Sequence, residues 1–153
     1  VYKRQPPSTP LVFLSSRIAV SPMLTPKRLR FARTVGILSV IGVMPDSQSE
    51  IDGNDVDNLA DSIRDYGMEY RNIPCNGTDE IDAATTSHFL NVIAQLPNPV
   101  LIFCRTGERA VTLWASAMCG DMPGKDIISA AGRAGFDMTG LVDEHTRPDQ
   151  RAA

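Results

Sequence analysis

Residues 99–115 read PVLIFCRTGERAVTLWA, a sequence that passes from a strand-like run through a polar turn to a helical pattern. Residues 100–103 are apolar and rich in β-formers, and a proline precedes them, as expected of a strand buried on both faces. Apolar residues then recur at helical spacing from Val111 to Met118. The pattern predicts that Cys104 lies at the carboxyl end of a central strand, directly before a helix N-terminus.

A thiol in that position lies where anions bind. Unpaired amides of the turn and of the first helical turn converge there, and the helix dipole adds partial positive charge. Both effects favour a thiolate, so Cys104 is predicted to be a nucleophile. Arg109 is predicted to clamp a bound oxyanion through two hydrogen bonds. The intervening residues would form the anion-binding loop, in which Gly107 permits a backbone conformation that side chains resist; they are Arg105, Thr106, Gly107 and Glu108.

The spacing from Cys104 to Arg109 is C-x4-R, whereas a tyrosine-phosphatase-type C-x5-R motif would place its arginine at position 110, which is alanine. The shorter loop makes a smaller anion nest and resembles that of rhodanese-type sulfurtransferases. The alternative is that Cys104 is only a buried strand cysteine, which is the common role of a lone cysteine in an apolar run. That alternative does not explain why a polar turn with two arginines follows at once.

Composition predicts one modest domain. The chain has 153 residues, 42% of them hydrophobic, and a net charge of −3, which gives no general attraction to nucleic acid or to an anionic membrane. No apolar run approaches the roughly 18 residues of a membrane helix, so we expect a soluble, cytoplasmic protein. Three cysteines without a CxxC pair predict neither a disulfide framework nor a metal site, and no cofactor is expected.

Strand and helix patterns alternate along the chain, which predicts a single α/β domain with a mostly parallel sheet flanked by helices. Strands are expected near 17–21, 37–43, 68–75 and 100–103, and helices near 25–35, 52–66, 82–96, 108–118 and 124–135. We expect the domain to cover residues 17–142, with an extended or disordered arm at 1–16 and a tail at 143–153. The loops at 44–54 and 75–79 leave neighbouring strands and should both border Cys104.

Other side chains are weaker candidates. His88 and His145 are expected to be structural or solvated. Cys119 is expected to be inert. Cys75 ends a strand that should border the site, so it is either a small core residue, which we favour, or a second thiol that resolves an oxidised or persulfidated Cys104. The basic residues of the first helix are expected to form a solvated face; they are Lys27, Arg28, Arg30 and Arg33.

The chain resembles the phosphatase-like domain of beta-lactamase hydrolase-like proteins, a bacterial group built on the dual-specificity phosphatase scaffold and often named as sulfur transferases. The resemblance covers about residues 17–142 and is sharpest at 99–114 and at Tyr70-Arg71-Asn72-Ile73-Pro74. It implies a cysteine-phosphatase architecture. It also implies that the chain acts beside a beta-lactamase-fold sulfur dioxygenase. One departure is Gly42-Val43-Met44 before Pro45-Asp46, where the family usually has an Asn-Asn-Arg turn that supplies a second basic contact to the anion.

The resemblance leaves open whether the thiolate attacks sulfur or phosphorus. A phosphatase needs a general acid for its poor leaving group, and in dual-specificity phosphatases an Asp lies about thirty residues before the cysteine. Here the nearest carboxylates come slightly later, and Asp79 is the candidate acid, although Asp79, Glu80 and Asp82 fit equally well as charges at a helix N-terminus.

Sulfur transfer needs no general acid, because sulfite and persulfide thiolates leave unaided. The first hypothesis is therefore a rhodanese-type sulfurtransferase that uses thiosulfate or glutathione persulfide. The alternative is a phosphoester hydrolase of the protein-tyrosine or dual-specificity type that uses the same cysteine. A third hypothesis is a non-catalytic thiol sensor or binding module.

Overall fold

The computed structural model describes residues 11–45 and 53–146. Its elements, in chain order, are β1 (Val12–Phe13), β2 (Ile18–Ser21), α1 (Pro26–Thr34), β3 (Ser39–Gly42), α2 (Gly53–Asp65), β4 (Glu69–Asn72), a 3-10 turn (Thr78–Glu80), α3 (Ala83–Gln95), β5 (Val100–Phe103), α4 (Glu108–Met118), α5 (Gly124–Arg133) and α6 (Thr139–His145).

The five strands form one sheet in the order β1-β2-β5-β3-β4. β5 is central and runs parallel to β2 and β3, and β4 is parallel to β3, whereas β1 is an antiparallel edge strand. Phe103 is in register with both Ser21 and Gly42, so three strands end at the same level. All four residues of β5 are buried, as its continuous apolar sequence predicts. The predicted α/β fold with a mostly parallel sheet is confirmed.

Helix α4 is the central helix of the packing and follows β5 after four residues. It packs against α3, α5 and α6, and eight of its eleven residues are buried, Trp114 completely. A helix apolar around most of its surface is stable only when neighbours cover it. The loop between β5 and α4 is therefore held between two fixed elements.

Capping residues set the helix ends at the predicted places. The Thr25 hydroxyl accepts a hydrogen bond from the Arg28 amide at 3.2 Å at the start of α1, and Pro26 is the first helical residue. Gly36 ends that helix with φ +96°. Asp82 caps α3 by accepting from the Thr85 amide at 2.9 Å.

Two elements reach beyond the expected domain bounds of 17 and 142. Residues 11–16 were expected to belong to an extended or disordered arm, but Val12 and Phe13 pair with β2, and Leu11 and Leu14 are buried. This short apolar run is stabilised by pairing and burial together. At the other end, the tail was expected to start at 143, but α6 continues to His145. Residues 1–10, 46–52 and 147–153 lie outside the described residues, so the rest of both predictions and most of the 44–54 loop are not tested. Within the described chain, every helix is too short or too polar to cross a bilayer.

Candidate active site

The loop from Cys104 to Arg109 joins the central strand to α4. Cys104 is fully buried, and Arg105 and Thr106 are exposed. Gly107 has φ +95° and caps α4, a backbone conformation that residues with a Cβ adopt only with strain. This conformation directs the Gly107 amide to the Cys104 sulfur at 3.1 Å. The amide therefore donates to the sulfur from the N-terminus of α4, a position where backbone N–H groups can bind an anion.

Neighbouring strands brace this loop. The Val43 amide donates to the Phe103 carbonyl at 2.9 Å, and the Met23 amide donates to the Arg105 carbonyl at 3.1 Å. These bonds come from the segments that follow β3 and β2. Because the loop is fixed on both sides, its amides are preorganised rather than ordered only when an anion binds.

The Arg109 side chain crosses from α4 to the segment after β4. It is 7% exposed, and its Nη1 donates to the Cys75 carbonyl at 3.0 Å and to the Asn76 carbonyl at 3.5 Å. The sequence pattern predicted a role for Arg109 toward a bound anion but not this contact, because no local pattern specifies a partner more than thirty residues away. Arg109 thus joins the two loops that border the site.

The segment 75–82 has its own hydrogen-bond network. The Glu80 carboxylate accepts from the Asn76 amide at 2.8 Å and from Asn76 Nδ2 at 3.2 Å. These bonds hold the pKa of Glu80 below its usual value, and the bonds from Thr85 lower the pKa of Asp82 in the same way. The helix N-terminal role proposed for the nearby carboxylates is therefore right for Asp82, while Glu80 fixes the turn.

Asp79 lies in a different position from these two carboxylates. It lines a cleft of about 420 Å³ together with the residues of the Cys104 loop. Gly77 leaves room for it, since a Cβ at position 77 would lie 2.9 Å from Asp79 Oδ1. The described residues that line this cleft are Asn76, Gly77, Thr78, Asp79, Arg105, Thr106, Glu108 and Arg109. Cys104 itself is fully buried at the start of the loop whose residues line the cleft.

Cys75 is buried and its thiol donates to the Gly77 carbonyl at 3.2 Å. Burial is the largest effect on this thiol and raises its pKa, although the Gly77 contact and Arg109 act in the opposite direction. Burial also raises the pKa of Cys119. Cys75 therefore packs in the core, and its carbonyl accepts from the Arg109 side chain.

The other candidates do not line the cleft. His88 and His145 are both exposed, on α3 and α6. Arg28 of the basic helix donates to the Met23 carbonyl at 2.9 Å. Within residues 11–45 and 53–146, no three His, Cys, Asp or Glu side chains are grouped so that they could hold a metal ion.

Solved structures share this fold. A candidate phosphatase from Neisseria meningitidis superposes with a TM-score of 0.78 at 24% identity, over 91% of this chain and 98% of its own. The core catalytic domain of a PP-IP phosphatase from Saccharomyces cerevisiae has a TM-score of 0.65 at 13% identity, over 95% and 91%. A kinase associated phosphatase, solved with its catalytic-site cysteine replaced by serine, has a TM-score of 0.65 at 15% identity, over 89% and 88%. At these identities the likeness establishes the cysteine-phosphatase fold.

Sequence comparison gives the family. A beta-lactamase hydrolase-like protein from Xylella fastidiosa is 33% identical over 132 residues, which is 84% of this chain but 30% of the relative. The chain thus spans less than a third of the curated relatives that it matches. The family model for the phosphatase-like domain of beta-lactamase hydrolase-like proteins matches residues 10–121, including β1 and the whole candidate site. The chain belongs to this phosphatase-like domain family.

Proposed function

We propose that the chain is a cysteine-dependent phosphatase that hydrolyses phosphomonoesters at Cys104. One observation carries the proposal: a single cleft joins Asp79 to Arg109 and to the loop that follows Cys104. Of the three carboxylates around the 3-10 turn, Glu80 and Asp82 are bound to Asn76 and Thr85. Asp79 is the one of these three that lines the cleft.

In the first step, the Cys104 thiolate attacks phosphorus. A sulfur–phosphorus bond forms and the ester phosphorus–oxygen bond breaks, while Asp79 donates its proton to the leaving oxygen. The amides of the loop and the Arg109 guanidinium stabilise the charge on the other phosphoryl oxygens. Arg109 suits this task because its planar fork matches an oxyanion and always carries its charge.

In the second step, water attacks the phosphocysteine. Asp79, now ionised, takes a proton from that water, the sulfur–phosphorus bond breaks, and inorganic phosphate leaves. The Cys104 thiolate is thereby restored and Asp79 is again protonated. The complete cycle consumes one phosphomonoester and one water and releases the alcohol and inorganic phosphate.

The comparisons support phosphate chemistry more than sulfur transfer. The family is described as phosphatase-like, and the solved neighbours described above are phosphatases or candidate phosphatases. The sulfurtransferase hypothesis, which the short loop favoured, has no support among them. A phosphoester substrate is accordingly proposed in place of a thiosulfate or persulfide donor.

Sulfur transfer remains the second candidate because of one observation. Only four residues separate Cys104 from Arg109, and the smaller nest that they form favours a sulfur-bearing donor over a tetrahedral phosphate. In that reaction Asp79 would have no role, since the leaving group departs unaided.

One preparation tests both reactions. We expect release of phosphate from an aryl phosphate, a phosphoryl adduct on Cys104 in acid-quenched intact-mass spectra, and loss of both in Cys104→Ser. Cys119→Ser is the matched control and should behave as the wild type. Thiocyanate formation from thiosulfate and cyanide, with a sulfur adduct on Cys104 and no phosphate release, would instead establish the sulfurtransferase.

A further inference from the structure

The charges around the cleft limit which phosphoesters can enter it. Among the described residues that line the cleft and are exposed, Arg105 is the single cation, whereas Asp79 and Glu108 are both acidic. Arg109 also lines the cleft but is buried, and in the proposed reaction it binds the phosphoryl group being transferred. When Asp79 holds the proton that the reaction requires, Glu108 still offsets Arg105. The described residues at the mouth of the cleft therefore supply no surplus positive charge for a second phosphate.

Glu108 lies at the N-terminus of α4, next to the residues that would bind the phosphoryl group. It is the first residue of α4, it is exposed, and it lies between Gly107, whose amide contacts the Cys104 sulfur, and Arg109. Its own amide donates to the Thr106 hydroxyl at 3.3 Å, which ties its backbone to the turn. A carboxylate at a helix N-terminus is itself stabilised by the helix dipole. It also repels any further anion that approaches the same terminus.

We infer that this cleft selects phosphomonoesters whose remainder is uncharged or cationic, and that Glu108 is the residue that discriminates against polyanionic ones; the inference rests on the proposed function. The net charge of −3 does not compensate at longer range. Two unit charges a few ångströms apart near a protein surface interact by about 1 kcal/mol or more, which corresponds to about a fivefold effect on kcat/KM.

The test compares three phosphotyrosine tripeptides that share one ester and differ only in two flanking residues, which are lysine, alanine or glutamate. For the wild type we expect kcat/KM to decrease from the lysine-flanked to the glutamate-flanked peptide. Glu108→Gln should raise the glutamate-to-alanine ratio about fivefold, as expected of removing one nearby like charge. Arg105→Gln should lower the same ratio.

The matched control is Asp121→Asn, which removes the same charge from an exposed residue beyond the far end of α4 and should leave the ratio unchanged. A second measurement does not depend on any variant. The wild-type preference should weaken between about 0.01 M and about 1 M salt, as the screening length falls from about 30 Å to about 3 Å.

The outcomes separate the two proposals. If all three peptides are hydrolysed at ratios that neither Glu108→Gln nor salt changes, the inference about Glu108 is overturned while the phosphatase stands. If none of the peptides and no aryl phosphate is hydrolysed, the proposed function falls and the inference falls with it. A higher ratio in Glu108→Gln and an unchanged one in Asp121→Asn would support it.

Discussion

At the scale of single residues, the three cysteines differ in their surroundings. The Cys104 sulfur accepts a hydrogen bond from the Gly107 amide at the N-terminus of α4, where Arg109 follows. Burial raises the pKa of both Cys75 and Cys119. Cys104 should therefore be alkylated fastest by iodoacetate near neutral pH, as peptide mass mapping at short times would show, although Cys119 is the more exposed thiol. Labelling of Cys119 before Cys104 would contradict this expectation.

Arg109 is tested by Arg109→Lys, which keeps the positive charge but loses the planar fork. A lysine ammonium cannot make two parallel hydrogen bonds to an oxyanion. It also cannot reproduce the hydrogen bonds that the Arg109 guanidinium donates to the Cys75 and Asn76 carbonyls. Turnover should fall by at least about tenfold, which corresponds to about 1.4 kcal/mol of lost transition-state stabilisation. Arg133→Lys, at an exposed arginine of α5, is the control. Wild-type turnover in Arg109→Lys would show that the fork is not needed.

At the scale of structural elements, the 3-10 turn is held by Glu80. Glu80→Ala removes both bonds to Asn76 and should loosen the segment that carries Asp79. Because misplacing a reacting group by about 1 Å can cost about a hundredfold in rate, we expect kcat to fall by about tenfold with little change in KM. Glu80→Gln keeps an acceptor oxygen and should recover part of the loss. Glu144→Ala on α6 is the matched control, and equal kcat in all four proteins would exclude a positioning role.

Three hydrogen-bonded carboxylates, those of Glu80, Asp82 and Asp137, make the stability of the fold depend on pH. Hydrogen bonds lower the pKa values of Glu80, Asp82 and Asp137 in the folded state. Their contribution is therefore present above the ordinary carboxyl pKa, about 4, and is lost as the pH falls through the lower folded values. Urea unfolding between about pH 6 and about pH 3 should show the decrease. Asp82→Asn should have a shallower dependence, and a slope equal to that of the wild type would argue against the cap.

Local sequence predicted the elements well where their ends are chemically marked. Thr25-Pro26 begins α1, Asp82 begins α3, and Gly107 precedes α4, each through a side chain or a backbone conformation that acts within one turn. Long-range contacts were not predictable in the same way. The bond from Arg109 to Cys75 and the burial of Leu11 and Leu14 depend on how distant segments meet, which hydrophobic periodicity does not encode.

At the scale of the whole molecule, the fold and the site depend on the same elements. The parallel strands β2, β5 and β3 end at one level, and the loops that leave β2, β4 and β5 meet there. Helices α5 and α6 lie beyond the matched residues 10–121, yet they pack on α4 and bury Ile127 and Val142. Because α5 and α6 pack against α4, they also help to fix the Cys104 loop, which leads directly into α4.

The choice between phosphate and sulfur chemistry was the part that sequence did not resolve. The short loop between Cys104 and Arg109 favoured sulfur transfer. Its length, however, carries no information about which side chains from other segments face the loop. In the structure, Asp79 and Arg109 line one cleft, and this arrangement supports the proposed phosphatase. A general acid is required only when the leaving group is a poor one.

The central claim is tested most directly by the leaving-group dependence of Asp79→Asn. We predict that this change lowers kcat/KM for phenyl phosphate, a poor leaving group, by about a hundredfold or more, and for the more acidic p-nitrophenyl phosphate by much less. Asp121→Asn should reduce neither. Equal losses on both esters, or no loss on either, would contradict the assignment of Asp79 as the acid that serves Cys104.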